Sequence, residues 1–243
     1  MPGAASPAAA YRAYFAALQR SDHAGAAVWL SDYSLRAQEM TREGVRDELK
    51  MGVYGALRYL DLQVQEVRMV DPALGGAPTA IIHSRVTLQQ GMTAPRVQEQ
   101  WNTARHEGRG WLINAGGLID RGRADVPPQT LNGVTVRLLE LQRYATHARL
   151  ILQVTNRNDQ AVWWGGGSSP ALTLWSGDKV VRVPGQALRF DARQSYPTIV
   201  ADVDQSLSAY PTRVELAGWS PVRGAQEPSW SYAFDVPGWQ APE

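Results

Sequence analysis

Arg121-Gly-Arg-Ala-Asp-Val-Pro-Pro128 divides the chain. Two consecutive prolines close this polar stretch, and neither offers an N–H to a helix or a ladder. Upstream, helical periodicities lead into a few long alternating runs. Downstream, short alternating runs and turn residues continue to the end, with no clear helical pattern. A length of 243 residues suits two domains, each long enough to bury its own core. The expected division is a first α+β domain over 1–122, a linker over 123–129, and an all-β domain over 130–243.

The first half opens on Ser6-Pro7, an N-cap followed by a first-turn proline. Tyr11, Tyr14, Phe15 and Leu18 then recur at helical spacing. Asp22 caps a second, short helix with Ala26, Ala27, Trp29 and Leu30 on its buried side. Thr41 caps a third, expected to reach about Leu57 although Gly44, Gly52 and Gly55 weaken it. Strands follow. Over 59–70 the apolar phase switches from Leu60, Leu62 and Val64 to Val67 and Met69, which predicts a bulge near Gln65. Residues 80–90 and 96–106 form a hairpin around Gly91-Met-Thr-Ala94, and 111–119 make a last strand after Glu107-Gly-Arg-Gly110.

The hairpin register selects candidate site residues. A turn centred between Met92 and Thr93 pairs Leu88 with Val97, Val86 with Glu99, and Ser84 with Trp101. Ser84, Glu99, Trp101 and Thr103 then share the apolar, concave side, with His83, Arg85, Gln98, Gln100 and Asn102 solvated opposite. A carboxylate in that setting has a raised pKa and suits acid/base chemistry. The competing register, slipped by one residue, puts Glu99 in solvent. No catalytic partner for Glu99 is evident in the sequence.

The second half reads as an antiparallel sandwich. Ala148, Leu150, Leu152 and Val154 alternate cleanly up to the turn Asn156-Arg-Asn-Asp159, and further short strands are expected at 161–164, 171–175, 179–183, 198–202, 213–219 and 230–236.

Two resemblances follow from these patterns. Helices leading into a curved antiparallel sheet that ends in "GWLINAGGLI" resemble the nuclear transport factor two-like superfamily, over about residues 6–122. The resemblance implies a cone-shaped α+β fold, a pocket for a small lipophilic ligand, and homodimers through the sheet. The superfamily includes isomerases and cyclases as well as plain binding modules, so fold alone does not fix function. The stretches "NGVTVRLLELQ", "ARLILQVTNRNDQAV", "LTLWSGDKVV" and "SYAFDVP" resemble the telokin-like, immunoglobulin-fold domain of bacterial envelope lipoproteins, over about 130–237. That resemblance implies an extracellular interaction role.

Composition removes other classes. Cysteine is absent, so disulfides, thiolate catalysis and zinc–thiolate sites are excluded. A net charge of +1, with arginines scattered along the chain, gives no field for nucleic acid. No apolar run approaches the roughly 20 residues of a membrane span. The opening Met1-Pro-Gly-Ala-Ala-Ser-Pro7 fits either a native start or the loose beginning of a mature secreted chain. No HExxH, Walker or GxSxG pattern occurs; Asp202-Val-Asp204 lacks the remaining features of a calcium loop. The expectation is therefore no cofactor, no metal and no catalytic constellation beyond Glu99.

Nine tryptophans are the compositional excess. Trp101, Trp111, Trp175 and Trp230 are expected in the cores. Trp163 and Trp164 are neighbours in a strand and point to opposite faces. One of them is left to stack on a sugar or a protein partner beside the loop Gly165-Gly-Gly-Ser-Ser169. The reading that results is a non-enzymatic, extracytoplasmic binding or protein-interaction module of a bacterial cell envelope. The alternative is a small-molecule isomerase- or cyclase-like enzyme working through Glu99, or a lipophilic-ligand binder, using the cone pocket of the first domain.

Overall fold

A computed structural model describes residues 3–51, 56–70, 74, 76–108, 110–165, 170–185, 187–223 and 229–241. Gly52, Gly55 and the 166–169 segment of the glycine-rich loop lie outside the described residues. The chain separates into two compact units, Met1–Asp120 and Arg121–Glu243.

The first unit opens with four short helices, α1 (Pro7–Gln19), α2 (His23–Ala27), α3 (Asp32–Ala37) and α4 (Arg42–Lys50). Each starts on a side-chain cap. Ser6, Asp22, Ser31 and Thr41 accept N–H groups from Ala9, Gly25, Ser34 and Gly44. The sequence reading missed α3 and carried α4 too far: the backbone is already extended at Met51. Three long strands, β1 (Leu57–Val70), β2 (Thr79–Gln90) and β3 (Arg96–Glu107), and a short β4 (Gly110–Asn114) form one antiparallel sheet in the order β1-β2-β3-β4. The expected bulge at Gln65 is present, and a second lies at Leu60. Tyr11 and Leu18 of α1 pack with Leu30, Ile82, Ala104 and Ile113, so the helices cover one face of the sheet.

The last strand expected in this unit is broken. Gly116 and Gly117 adopt φ of 66° and 75°, ending β4 in a single turn of 3-10 helix, Ala115–Gly117. The chain then enters β5 (Leu118–Ala124), which joins a sheet of the second unit. The boundary between the units therefore falls inside a strand, and only residues 125–128 of the expected 123–129 linker lie between strands.

The second unit holds two six-stranded sheets. The first contains β5, β6 (Gln129–Leu131), β7 (Val134–Tyr144), β8 (Ala148–Asn156), β13 (Gln194–Val203) and β16 (Trp239–Gln240), ordered β13-β8-β7-β5-β16 with β6 on β7. The other contains β9 (Val162–Trp164), β10 (Pro170–Ser176), β11 (Lys179–Pro184), β12 (Leu188–Phe190), β14 (Arg213–Ser220) and β15 (Trp230–Asp235). Val136, Leu138, Leu150 and Leu152 of one sheet and Leu172, Leu174, Val214 and Leu216 of the other are buried, as in a sandwich. An aromatic stack supports them: Trp219 lies on Trp164 and Phe190, with ring centroids 5.6 and 5.3 Å away, and meets Tyr232 edge-on at 5.2 Å.

The expected architecture, an α+β cone followed by a separate sandwich, is thereby corrected. Strand dominates the chain, the helices are four short ones among the described residues, and there are three sheets. Helix contributes less than expected because the helix begun at Thr41 stops at Lys50, and the expected last strand of the first domain gives way to β5, which pairs within a sheet of the second unit.

Candidate functional site

β9 is three residues long, and strand alternation sends its two indoles to opposite sides of the sheet. Trp164 faces inward and is buried, its Nε1 donating to the Ala171 carbonyl at 3.2 Å. Trp163 faces outward and is half-buried. Its cross-strand neighbours are Arg189 of β12 and Ser220 of β14. The guanidinium carbons of Arg189 and Arg223 lie 5.8 and 5.4 Å from the Trp163 ring centre, within cation–π range. Asp191 accepts from Arg189 at 2.9 Å. Arg223 is exposed and has no carboxylate partner among the described residues. The result is an aromatic surface flanked by two guanidinium groups, of which Arg223 has no carboxylate partner among the described residues.

On the inward side, Trp164 is part of the wall of a cleft of about 490 Å³. Ala171, Leu172, Val183 and Leu188 continue the apolar lining. The opposite wall is the run Val200, Ala201, Asp202 together with Asp204, on and just beyond β13. Asp202 is held by Arg149 at 2.9 Å. Arg149 in turn lies over the Tyr144 ring, against which His147 stacks at 4.3 Å. Burial, reinforced by the Arg149 charge, holds His147 below the ordinary imidazole pKa. Burial likewise pushes the Tyr144 phenol up. Neither shift makes a nucleophile, and this cluster acts as a brace for the cleft wall.

The site expected in the first unit is rearranged. Observed pairs are Leu88 with Arg96, Thr87 with Val97, Arg85 with Glu99 and His83 with Trp101. The loop holds an odd number of residues, so the hairpin axis passes through Met92 and not between Met92 and Thr93. Thr93 closes a turn onto the Gln90 carbonyl through both its N–H and its hydroxyl, and Pro95 has no N–H with which to resume pairing. Pairing restarts at Arg96, one position from the expected register. Glu99 and Trp101 therefore sit on the exposed face beside His83 and Arg85, while Ser84 is buried on the helix-covered face. Thr103 is buried too, donating to the Leu118 carbonyl at 2.6 Å.

Glu99 accepts from Arg85 Nε at 3.0 Å and sits 2.7 Å from His83 Nε2. The Arg85 hydrogen bond is the main reason its carboxyl titrates below the usual range; partial desolvation opposes it, and the His83 hydrogen bond and the Arg85 and His83 charges add to the lowering. The expected raised pKa is thus reversed. Trp101, expected in the core, is 43% exposed and stacks on His83.

The sequence reading missed a different polar centre. Tyr11 projects from α1 onto the sheet, where its hydroxyl accepts from Asn102 Nδ2 at 2.9 Å and from Ser84 Oγ at 3.2 Å and donates to Gln100 Oε1 at 3.2 Å. Burial raises the Tyr11 pKa, and its helical spacing gave only an apolar signal. Among the described residues, no three His, Asp or Glu side chains converge as a metal ion requires, and no helix is long and apolar enough to cross a membrane. No protein-family model matches the chain, and no curated protein matches it.

Proposed function

We propose that the chain is a non-enzymatic binding module of a bacterial cell envelope, working outside the cytoplasm, with Trp163 as its contact residue for an acidic glycan. The observation that carries this reading is the outward Trp163 indole beside Arg189 and Arg223. A sugar ring stacks on an indole face through its C–H groups, and a carboxylate or sulfate on that sugar pairs with a guanidinium. Arg223 has no carboxylate partner among the described residues, which leaves its charge for that role. The resemblance of residues 130–237 to the telokin-like immunoglobulin-fold domain supports the envelope setting. The ion-paired, exposed Glu99 favours this reading over an acid/base enzyme.

Titration with uronic-acid oligosaccharides, followed by tryptophan fluorescence and calorimetry, tests the proposal. Binding is expected for the acidic oligosaccharides, weaker for neutral ones of equal length, and lost in Trp163→Ala. Equal binding by Trp163→Ala, or none by the native chain, refutes it. Fractionation of cells expressing the natural gene tests the location.

A further inference from the structure

The cleft behind β9 is separate from the Trp163 surface, because the two lie on opposite faces of the same sheet. Its lining has an unusual feature. Val200, Ala201 and Asp202 are consecutive, and their side chains alternate in direction, yet all three line the cleft. Both faces of a strand border one cavity only where the cavity runs along the strand's edge. β13 is the terminal strand of its sheet, paired with β8 alone among the described strands. Every second residue on its free side directs N–H and C=O groups away from β8.

Native sheets guard such edges with prolines, charges or bulges. The first part of β13 is guarded by Pro197, at the register shift between Tyr196 and Ile199. From Ile199 to Val203 the pairing with β8 is regular. Here Val200 is 47% exposed, and the Asp202 charge is already matched by Arg149. Asp204, just past the strand, is exposed and has no cationic ion-pair partner among the described residues. The facing wall, with Leu172, Val183, Leu188 and the Trp164 indole, is apolar. The cleft thus offers main-chain pairing groups along one side, an apolar wall on the other, and one unmatched carboxylate at its end.

We infer that this cleft binds an extended peptide segment of a partner protein, which adds to the Ile199–Val203 edge as a further strand, places apolar side chains against Leu188 and Val183, and sets a lysine or arginine against Asp204. Main-chain pairing supplies affinity in this mode of recognition, and the alternate side chains supply selectivity. A segment of about five residues spans the edge, at roughly 3.3 Å per residue.

The test uses the full chain and a fluorescent seven-residue peptide alternating valine with lysine. Three companions accompany it: one with glutamate for lysine, one N-methylated at alternate residues so that one edge cannot donate, and a single-chain alkylamine as an amphipathic cation. The lysine peptide is expected to bind and to shift the amide resonances of residues 199–204, with at least a tenfold loss for the glutamate and N-methylated peptides. Asp204→Lys, on an exposed position that leaves the fold intact by circular dichroism, is expected to invert the lysine-over-glutamate preference. Arg223→Ala is expected to leave peptide binding unchanged, which separates this site from the glycan surface. Equal binding of the N-methylated peptide removes the strand-addition mechanism, and preferential binding of the alkylamine makes the cleft a small-molecule site. No binding of the lysine peptide, or an unaltered preference in Asp204→Lys, overturns the inference outright.

Discussion

His83 lies flat on the Trp101 indole, with ring centroids 4.1 Å apart and planes 7° from parallel, and its Nε2 reaches Glu99 at 2.7 Å. The pair sits on the exposed face of the first sheet, where cross-strand neighbours His83–Trp101 and Arg85–Glu99 occupy adjacent rungs.

Glu99 should therefore titrate below an ordinary glutamate. A carboxylate whose folded pKa is depressed contributes stability above its unfolded pKa and loses it as pH falls through the folded value. The Glu99 contribution is thus complete above about pH 4.5, the ordinary value, and fades below it. NMR titration of the side-chain carboxyl checks this. Arg85→Ala should move the midpoint upward, because the Arg85 hydrogen bond is the leading cause of the shift. A midpoint unchanged in Arg85→Ala contradicts the ion-pair explanation.

Tyr11→Phe should destabilise the first unit by about 1–3 kcal/mol, the usual cost of leaving buried polar groups without a partner. The change keeps the ring, so packing against Ile82 and Ala104 is retained. The lost hydroxyl leaves Ser84, Asn102 and Gln100 without their shared contact. Denaturant unfolding measures the loss, and Ser84→Ala in the same background should cost less than in the native chain, since the two act as one network.

Local chemistry was legible in the sequence where one residue decides the outcome. Ser6, Asp22 and Thr41 cap helices because a short side-chain oxygen reaches an N–H three residues on. The Asn156 turn also follows from its own side chain, which accepts from Asn158 N–H and donates toward the carbonyls of Gln160, Phe190 and Asp191. Properties shared between distant segments were not legible. The Glu99 register depended on whether the hairpin loop holds an odd or an even number of residues. The buried position of Trp219 was not legible for a similar reason. Val214 and Leu216 face inward, and plain alternation sends Trp219 outward. A bulge between Leu216 and Trp219, with Gly218 at φ 76°, restores the inward phase. The cleft needs the edges of two sheets, and no local pattern encodes that meeting.

Trp219→Ala should accordingly be among the costliest single changes in the second unit, about 3–5 kcal/mol for a fully buried indole. It removes the centre of the stack with Trp164, Phe190 and Tyr232. Trp163→Ala should cost much less, since that ring is only half-buried. Thermal unfolding of the two variants gives the contrast. Similar losses in both would place Trp163 in the core and remove the basis for its role in recognition.

The seam offers the last prediction. An open linker at 123–129 would make Arg121 and Arg123 the first targets of trypsin. Both instead lie in β5, which stands between β7 and β16, and Trp239 and Gln240 pair directly with Ala124 and Arg123. Arg121 also bridges to Glu140 at 3.6 Å. A protease needs its substrate extended and free of a sheet on both sides, so cleavage there requires β5 to leave the sheet first. Limited trypsin digestion followed by mass spectrometry should show cuts after exposed arginines such as Arg223 well before any after Arg121 or Arg123. Truncation before Trp239 removes the β16 cover and should accelerate the cut after Arg123 more than the cut after Arg223. Early cleavage at Arg121 in the full chain would show that β5 is only weakly held, and that the polar, proline-closed seam acts as a linker after all.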